Sequence, residues 1–124
     1  MPLVIFVDDS ETALASTRMV TNSMPIEVKQ YTQAENALAE ISSGAIKPDL
    51  IITDLNMPVM NGFEFLQGLR KVPSTQRTPV LMLTTETKAE LKQQGKALGL
   101  TGWIVKPFPS QLKQAITRVL RLPA

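Results

Sequence analysis

Residues 3–11 read Leu-Val-Ile-Phe-Val-Asp-Asp-Ser-Glu (LVIFVDDSE), five apolar residues that end on two adjacent carboxylates. An unbroken apolar run of this length suits a strand buried on both faces, as in a parallel sheet; a half-exposed strand would alternate apolar with polar residues. Adjacent carboxylates repel by roughly a few kcal/mol at the effective dielectric of a protein surface, so the fold has to supply something that offsets them.

Working outward, similar continuous apolar runs recur at Leu50–Ile52, Val80–Leu83 and Trp103–Val105, and a weaker strand at Glu27–Tyr31 reads as an edge. Between them lie stretches of helical length and composition over 10–24, 34–43, 61–71, 87–98 and 110–120. Ser10 is placed to cap the first, and Asn61 followed by Glu64 has the spacing of a capping box. Gly44 and Gly99 stand where helices should stop. Five alternations of strand and helix predict an α/β domain, a doubly wound five-stranded parallel sheet with five helices in a three-layer sandwich.

The totals agree with a single domain over residues 1–124: 124 residues, 44% apolar, suffice for one core. The formal charge is +2, but residues 1–86 carry net −4 and residues 87–124 net +6. With no cysteine and no histidine, disulfides, thiolate metal sites and imidazole bases are excluded. Any chemistry must use carboxylates, hydroxyls and lysine. The N-terminal stretch lacks the basic region of a signal peptide and no apolar run is long enough to span a bilayer, so a cytoplasmic protein without a membrane partner is expected.

Each strong strand runs into a polar residue: Val7 into Asp8 and Asp9, Thr53 into Asp54, Leu83 into Thr84, Val105 into Lys106. In open parallel sheets ligands bind beyond the carboxyl ends of the strands, at the point where strand order reverses. If the order is 2-1-3-4-5, the flavodoxin-like arrangement, these four ends are neighbours and gather three carboxylates, a hydroxyl and an ammonium. Taken alone, an Asp or Thr at a strand end reads more readily as a helix cap than as a catalyst. Together they leave uncompensated negative charge, and oxygen-only ligands favour a hard divalent cation, Mg²⁺ over Ca²⁺. Metal, lysine and hydroxyl are also the parts that hold a phosphoryl group in transfer, with Asp54 as the candidate carboxylate nucleophile.

The stretches VDDS (7–10), DLNMPVMNG (54–62), LTTE (83–86) and GWIVKPF (102–108) resemble, in order and spacing, the receiver domains of two-component response regulators, and the single-domain chemotaxis (CheY-type) receivers most of all. The resemblance implies a signalling switch, not an enzyme acting on a separate substrate. Asp54 would accept a phosphoryl group from a histidine kinase; Asp9, Asp54 and the backbone carbonyl of Asn56 would bind Mg²⁺, with Asp8 acting through water. Lys106 and Thr84 would grip phosphoryl oxygens, helped by backbone N–H groups near Asn56 and Thr85, and Pro107 would follow a cis peptide. Thr85 is larger than the residue usual at its position. Trp103 stands where the switch aromatic is usually Tyr or Phe, and reads either as that switch or as a core anchor. Asn56 and Glu86 flank the site, Glu86 serving equally well as an early-helix charge.

The resemblance further implies a phosphorylation-switched surface on the fourth helix, fifth strand and fifth helix, where the basic charge lies. Lys88, Lys92 and Lys96 recur every four residues and should share a helix face. They read as a docking site for an acidic protein such as a flagellar motor switch, or as an ordinary solvated face. Nucleic-acid binding is disfavoured, since no recognition helix or stacking platform is visible. Two rivals remain: a receiver that drains or regulates its kinase without a motor target, and a Mg²⁺-dependent phosphohydrolase of the haloacid dehalogenase type. The second normally carries its nucleophile on the first strand in a D-x-D pattern, whereas Asp54 lies far downstream.

Overall fold

Strands β1 (Leu3–Val7), β2 (Glu27–Tyr31), β3 (Leu50–Thr53), β4 (Val80–Thr84) and β5 (Gly102–Val105) alternate with helices α1 (Glu11–Thr21), α2 (Ala34–Ser42), α3 (Gly62–Lys71), α4 (Ala89–Ala97) and α5 (Pro109–Leu120). The computed structural model describes residues 1–106 and 109–123, so Pro107 and its expected cis peptide lie outside the described residues. All strand pairs are parallel and the sheet order is β2-β1-β3-β4-β5. Sheet order and helix number are those expected of a flavodoxin-like fold.

The continuous apolar runs fill both layers of the sandwich. On one face Val4, Phe6, Leu50, Ile52, Leu81, Leu83 and Ile104 pack against Leu14 of α1 and Leu112 and Ile116 of α5. On the other, Ile5, Val7, Ile51 and Val80 pack against Ala37 and Ile41 of α2 and Phe65, Leu66 and Leu69 of α3. A smaller cluster of Leu55, Phe63 and Met82 extends this second layer beneath α4, with Trp103 against it. Every residue of β3 and β4 is buried, while β2, as its mixed composition predicted, is a half-exposed edge.

Local chemistry sets the helix ends. The Ser10 hydroxyl accepts the Ala13 N–H, and Asn61 and Glu64 close a full capping box at α3. Gly44 takes the left-handed conformation (φ +82°) that ends α2. Two helices are shorter than their composition suggested. α1 stops at Thr21 because the core claims Met24 and Ile26, both buried, through a turn that helical geometry would not allow. α4 starts at Ala89, so Lys88 is the extended residue before the helix (φ −65°, ψ 131°) and not a member of its face. Lys92 and Lys96 remain one turn apart and exposed.

A half-buried arginine that the motifs did not single out locks the far side of the sheet. Arg70 at the end of α3 donates through Nη1 to the carbonyls of Thr75 and Thr78 (both 2.8 Å) and through Nη2 to that of Gly99 (3.0 Å). Burial pushes its pKa down, yet a guanidinium stays charged in proteins. It therefore ties α3, the 3-10 turn at Pro73–Thr75 and the α4–β5 loop into one unit.

Candidate functional site

The sheet ladder continues one rung past the strands and fixes the backbone of the site. The Asp8 amide donates to the Tyr31 carbonyl (3.0 Å), that of Asp54 to Val7 (2.9 Å) and that of Lys106 to Thr84 (2.9 Å). Three side chains separated by up to 98 positions in sequence thus leave neighbouring strands at one level. Close packing sets the depth of Asp54. Gly62 opens α3 directly against it, and a Cβ there would lie 2.5 Å from the Asp54 carbonyl oxygen and 3.0 Å from Leu55 Cα. The Gly62 amide also donates to the Leu55 carbonyl (2.8 Å), which holds the β3–α3 loop closed.

Each of Asp8, Asp9 and Asp54 offers a carboxylate oxygen within 4.8 Å of the others. Asp8 is buried and uses both oxygens, one accepting the Ser10 N–H (2.9 Å) and the other the Lys106 ammonium (2.6 Å). Asp9 is exposed and Asp54 lies between these extremes, its side chain 13% accessible. Lys106 Nζ is 3.7 Å from Asp54 Oδ2, so one ammonium serves two carboxylates. Burial raises the Asp54 pKa from its ordinary value, the Lys106 charge opposes that rise and the Asp8 charge adds to it. Three carboxylates against one ammonium, with no nitrogen or sulfur donor, is a set that fits a hard divalent cation.

Thr84 is fully buried at the end of β4, and its hydroxyl accepts the Glu86 N–H at 3.3 Å. Thr85 beside it is exposed at the rim. Glu86 turns out to be more than an early-helix charge: its carboxylate accepts the Asn56 side-chain amide (3.0 Å) and its carbonyl accepts the Trp103 indole N–H (3.0 Å). Trp103 is half-buried, with its ring 6.4 Å from that of Phe63 and tilted by 45°, and it faces the space left by Gly95 of α4. The structure thus gathers Asp8, Asp9, Asp54, Thr84 and Lys106 at one end of the sheet and joins Asn56, Glu86 and Trp103 by hydrogen bonds. The exposed lysines of α4 lie outside that network. Gly62 was visible in the sequence only as part of the motif; its role follows from a backbone approach that composition does not reveal.

An open parallel sheet carrying an acidic cluster and a shared lysine at the carboxyl ends of its strands defines a flavodoxin-like domain with its site at the topological switch point. The family model for the response regulator receiver domain matches residues 4–117, and the chain belongs to that family, the receivers of two-component systems. Its relatives include the chemotaxis protein CheY of Pseudomonas aeruginosa, 30% identical over 118 residues that make up 94% of each protein. The cyclic di-GMP phosphodiesterase response regulator RpfG of Xanthomonas campestris is 30% identical over 122 residues, and there the match covers only 32% of that protein's length. Among solved structures, the chemotaxis protein CheY4 of Vibrio cholerae superposes with a TM-score of 0.88 at 43% identity, covering 96% of this chain and 98% of that one. The chain is therefore a CheY-like receiver domain. No helix among the described residues is long and apolar enough to cross a membrane.

Proposed function

We propose that this receiver accepts a phosphoryl group on Asp54 from a histidine kinase, with Mg²⁺ bound by the Asp8, Asp9 and Asp54 cluster, and passes the signal to a protein partner, in chemotaxis. The observation that carries the reading is the juxtaposition of three carboxylates within 4.8 Å with a lysine shared between Asp8 and Asp54. A bound Mg²⁺ supplies neutralisation of the charge that builds on the transferring oxygens.

The remaining work falls to this chain's own groups. Asp54 attacks phosphorus through a carboxylate oxygen. Lys106, already 3.7 Å from that carboxylate, moves from Asp8 toward the new phosphoryl oxygens once Asp8 is otherwise compensated. The Thr84 hydroxyl turns from the Glu86 N–H to the phosphoryl group, releasing one of three ties on Glu86. The other two run to Asn56 and Trp103, so a shift of Glu86 changes the packing between Trp103 and α4. This gives a physical route from the site to the α4–β5–α5 face, where Lys92 and Lys96 dock an acidic target and Lys88 contributes from the loop before the helix. A protein fed by such a kinase works in the cytoplasm.

The test is incubation with acetyl phosphate and Mg²⁺ followed by intact-mass and peptide mapping. A phosphoryl adduct on Asp54 that needs Mg²⁺ and is absent from Asp54→Asn is expected. Labelling retained in that variant would disprove the assignment. Lys92→Ala should incorporate phosphate normally and bind its target more weakly.

A further inference from the structure

The loop after Asp54 holds a residue in a conformation its chemistry disfavours. Val59 has φ +69°, and the Met60 amide donates to the Pro58 carbonyl (2.8 Å), so residues 58–60 form a γ-turn of the positive-φ kind, which is rare and strained. For a β-branched residue this conformation is an outlier, and glycine would adopt it without steric conflict. The turn is held on both sides, by the Gly62-to-Leu55 bond and by the capping box at Asn61 and Glu64. Its effect is to present the valine outward: Val59 is 85% exposed. Among the described residues the other large apolar side chains as exposed are Met1 at the terminus and Met19 on α1. Val59 thus combines backbone strain with apolar exposure, and among the described residues it joins none of the hydrophobic clusters.

We infer that Val59 is a docking knob for the protein that bears the phosphohistidine donor, an inference that rests on the phosphoacceptor reading of Asp54. The Asp54 side chain is only 13% accessible, and the loops that follow β3 and β4 form its rim, exposing Asn56, Pro58 and Val59 in the one and Thr85 in the other. A protein donor must seat its imidazole over that opening. In the transfer the P–N bond to the imidazole breaks as a bond from phosphorus to an Asp54 carboxylate oxygen forms, and the electron pair stays on the imidazole nitrogen, which takes up a proton. The donor's surface around the histidine then covers the rim, and a rigidly held valine gains its burial only at that moment. A small phosphodonor makes no such contact, so Val59 separates the two kinds of donor.

The test compares wild type, Val59→Gly, Val59→Asn and Val59→Ile with two donors: acetyl phosphate, and a chemotaxis-type histidine kinase loaded with radiolabelled ATP. All four chains should take phosphate from acetyl phosphate at the same rate. From the kinase, Val59→Gly and Val59→Asn should lose on the order of ten-fold in kcat/KM, chiefly through KM, while Val59→Ile keeps the wild-type value. With a kinase that labels wild type, equal transfer to all four overturns the docking role and leaves the phosphoacceptor reading intact. A change in sedimentation of Val59→Gly without a change in transfer assigns the knob to self-association instead. No labelling of Asp54 by either donor overturns both readings.

Discussion

Replacing Asp54 with Asn should stabilise the metal-free protein near neutral pH, although it removes the group the site is built around. At an effective dielectric of 20, two carboxylate charges 4.8 Å apart repel by about 3.5 kcal/mol. Asp54 faces two such neighbours, and the exposure of Asp9 screens its share by roughly half. Lys106 at 3.7 Å returns about 4.5 kcal/mol. The balance of charges is a net cost of only about 0.7 kcal/mol for keeping Asp54 ionised, and burial, the main cause of its raised pKa, adds to it. The pH dependence has a definite sign. With the folded pKa above the unfolded one, the folded chain holds a proton that the unfolded chain has already lost, so stability falls as pH rises through that interval and stays low above it. Urea denaturation in EDTA at several pH values reads this directly. Asp54→Asn should exceed wild type by about 1 kcal/mol at pH 7, with the gap closing as the pH is lowered into the carboxylate range. Added Mg²⁺ should stabilise wild type more than the variant. A variant equal to or less stable than wild type at pH 7 in EDTA would refute the electrostatic account of the cluster.

Gly62→Ala should cost about 2 kcal/mol or more by overpacking against a main-chain carbonyl that cannot rotate away, read as a lower urea midpoint at unchanged slope. Val59→Gly should do the opposite: relief of left-handed strain of about 1–2 kcal/mol exceeds the extra unfolded-state entropy of glycine, for a net gain below about 1 kcal/mol in thermal or urea melts. Asn61→Ala removes one half of the capping box and should lose about 1 kcal/mol. Trp103 emission should shift on adding Mg²⁺ and then acetyl phosphate, and Asp54→Asn should lack the second step, because Glu86 links the indole to the site.

Much of this molecule is legible in its sequence because the strongest signals coincide with the strongest forces. Unbroken apolar runs at 3–7 and 80–83 announce strands with two buried faces, and the carboxylates, hydroxyl and lysine at the strand ends announce a switch-point site. The order of the strands was carried by resemblance to a known fold, since periodicity contains no information on neighbours. What stayed hidden depends on tertiary contact. The early end of α1 reflects competition for Met24 and Ile26, which local propensity cannot register. Lys88 looks helical by spacing but sits in the extended residue before α4, whose first turn has no side-chain cap to fix its start. The γ-turn at Val59 contradicts residue preference outright, and the Arg70 bonds join carbonyls from three separate segments.

The Arg70 clamp has a mechanical consequence. It fastens Gly99, just beyond the last turn of α4, to the rigid end of α3, whereas Glu86, before α4 begins, hangs on three single hydrogen bonds. A helix fixed at its tail and tethered lightly at its head behaves as a hinged lever with its fulcrum at Gly99. A small displacement at Glu86 would then sweep Lys88 and Lys92 through a wider arc than Lys96, the motion being largest at the end nearest the carboxylates.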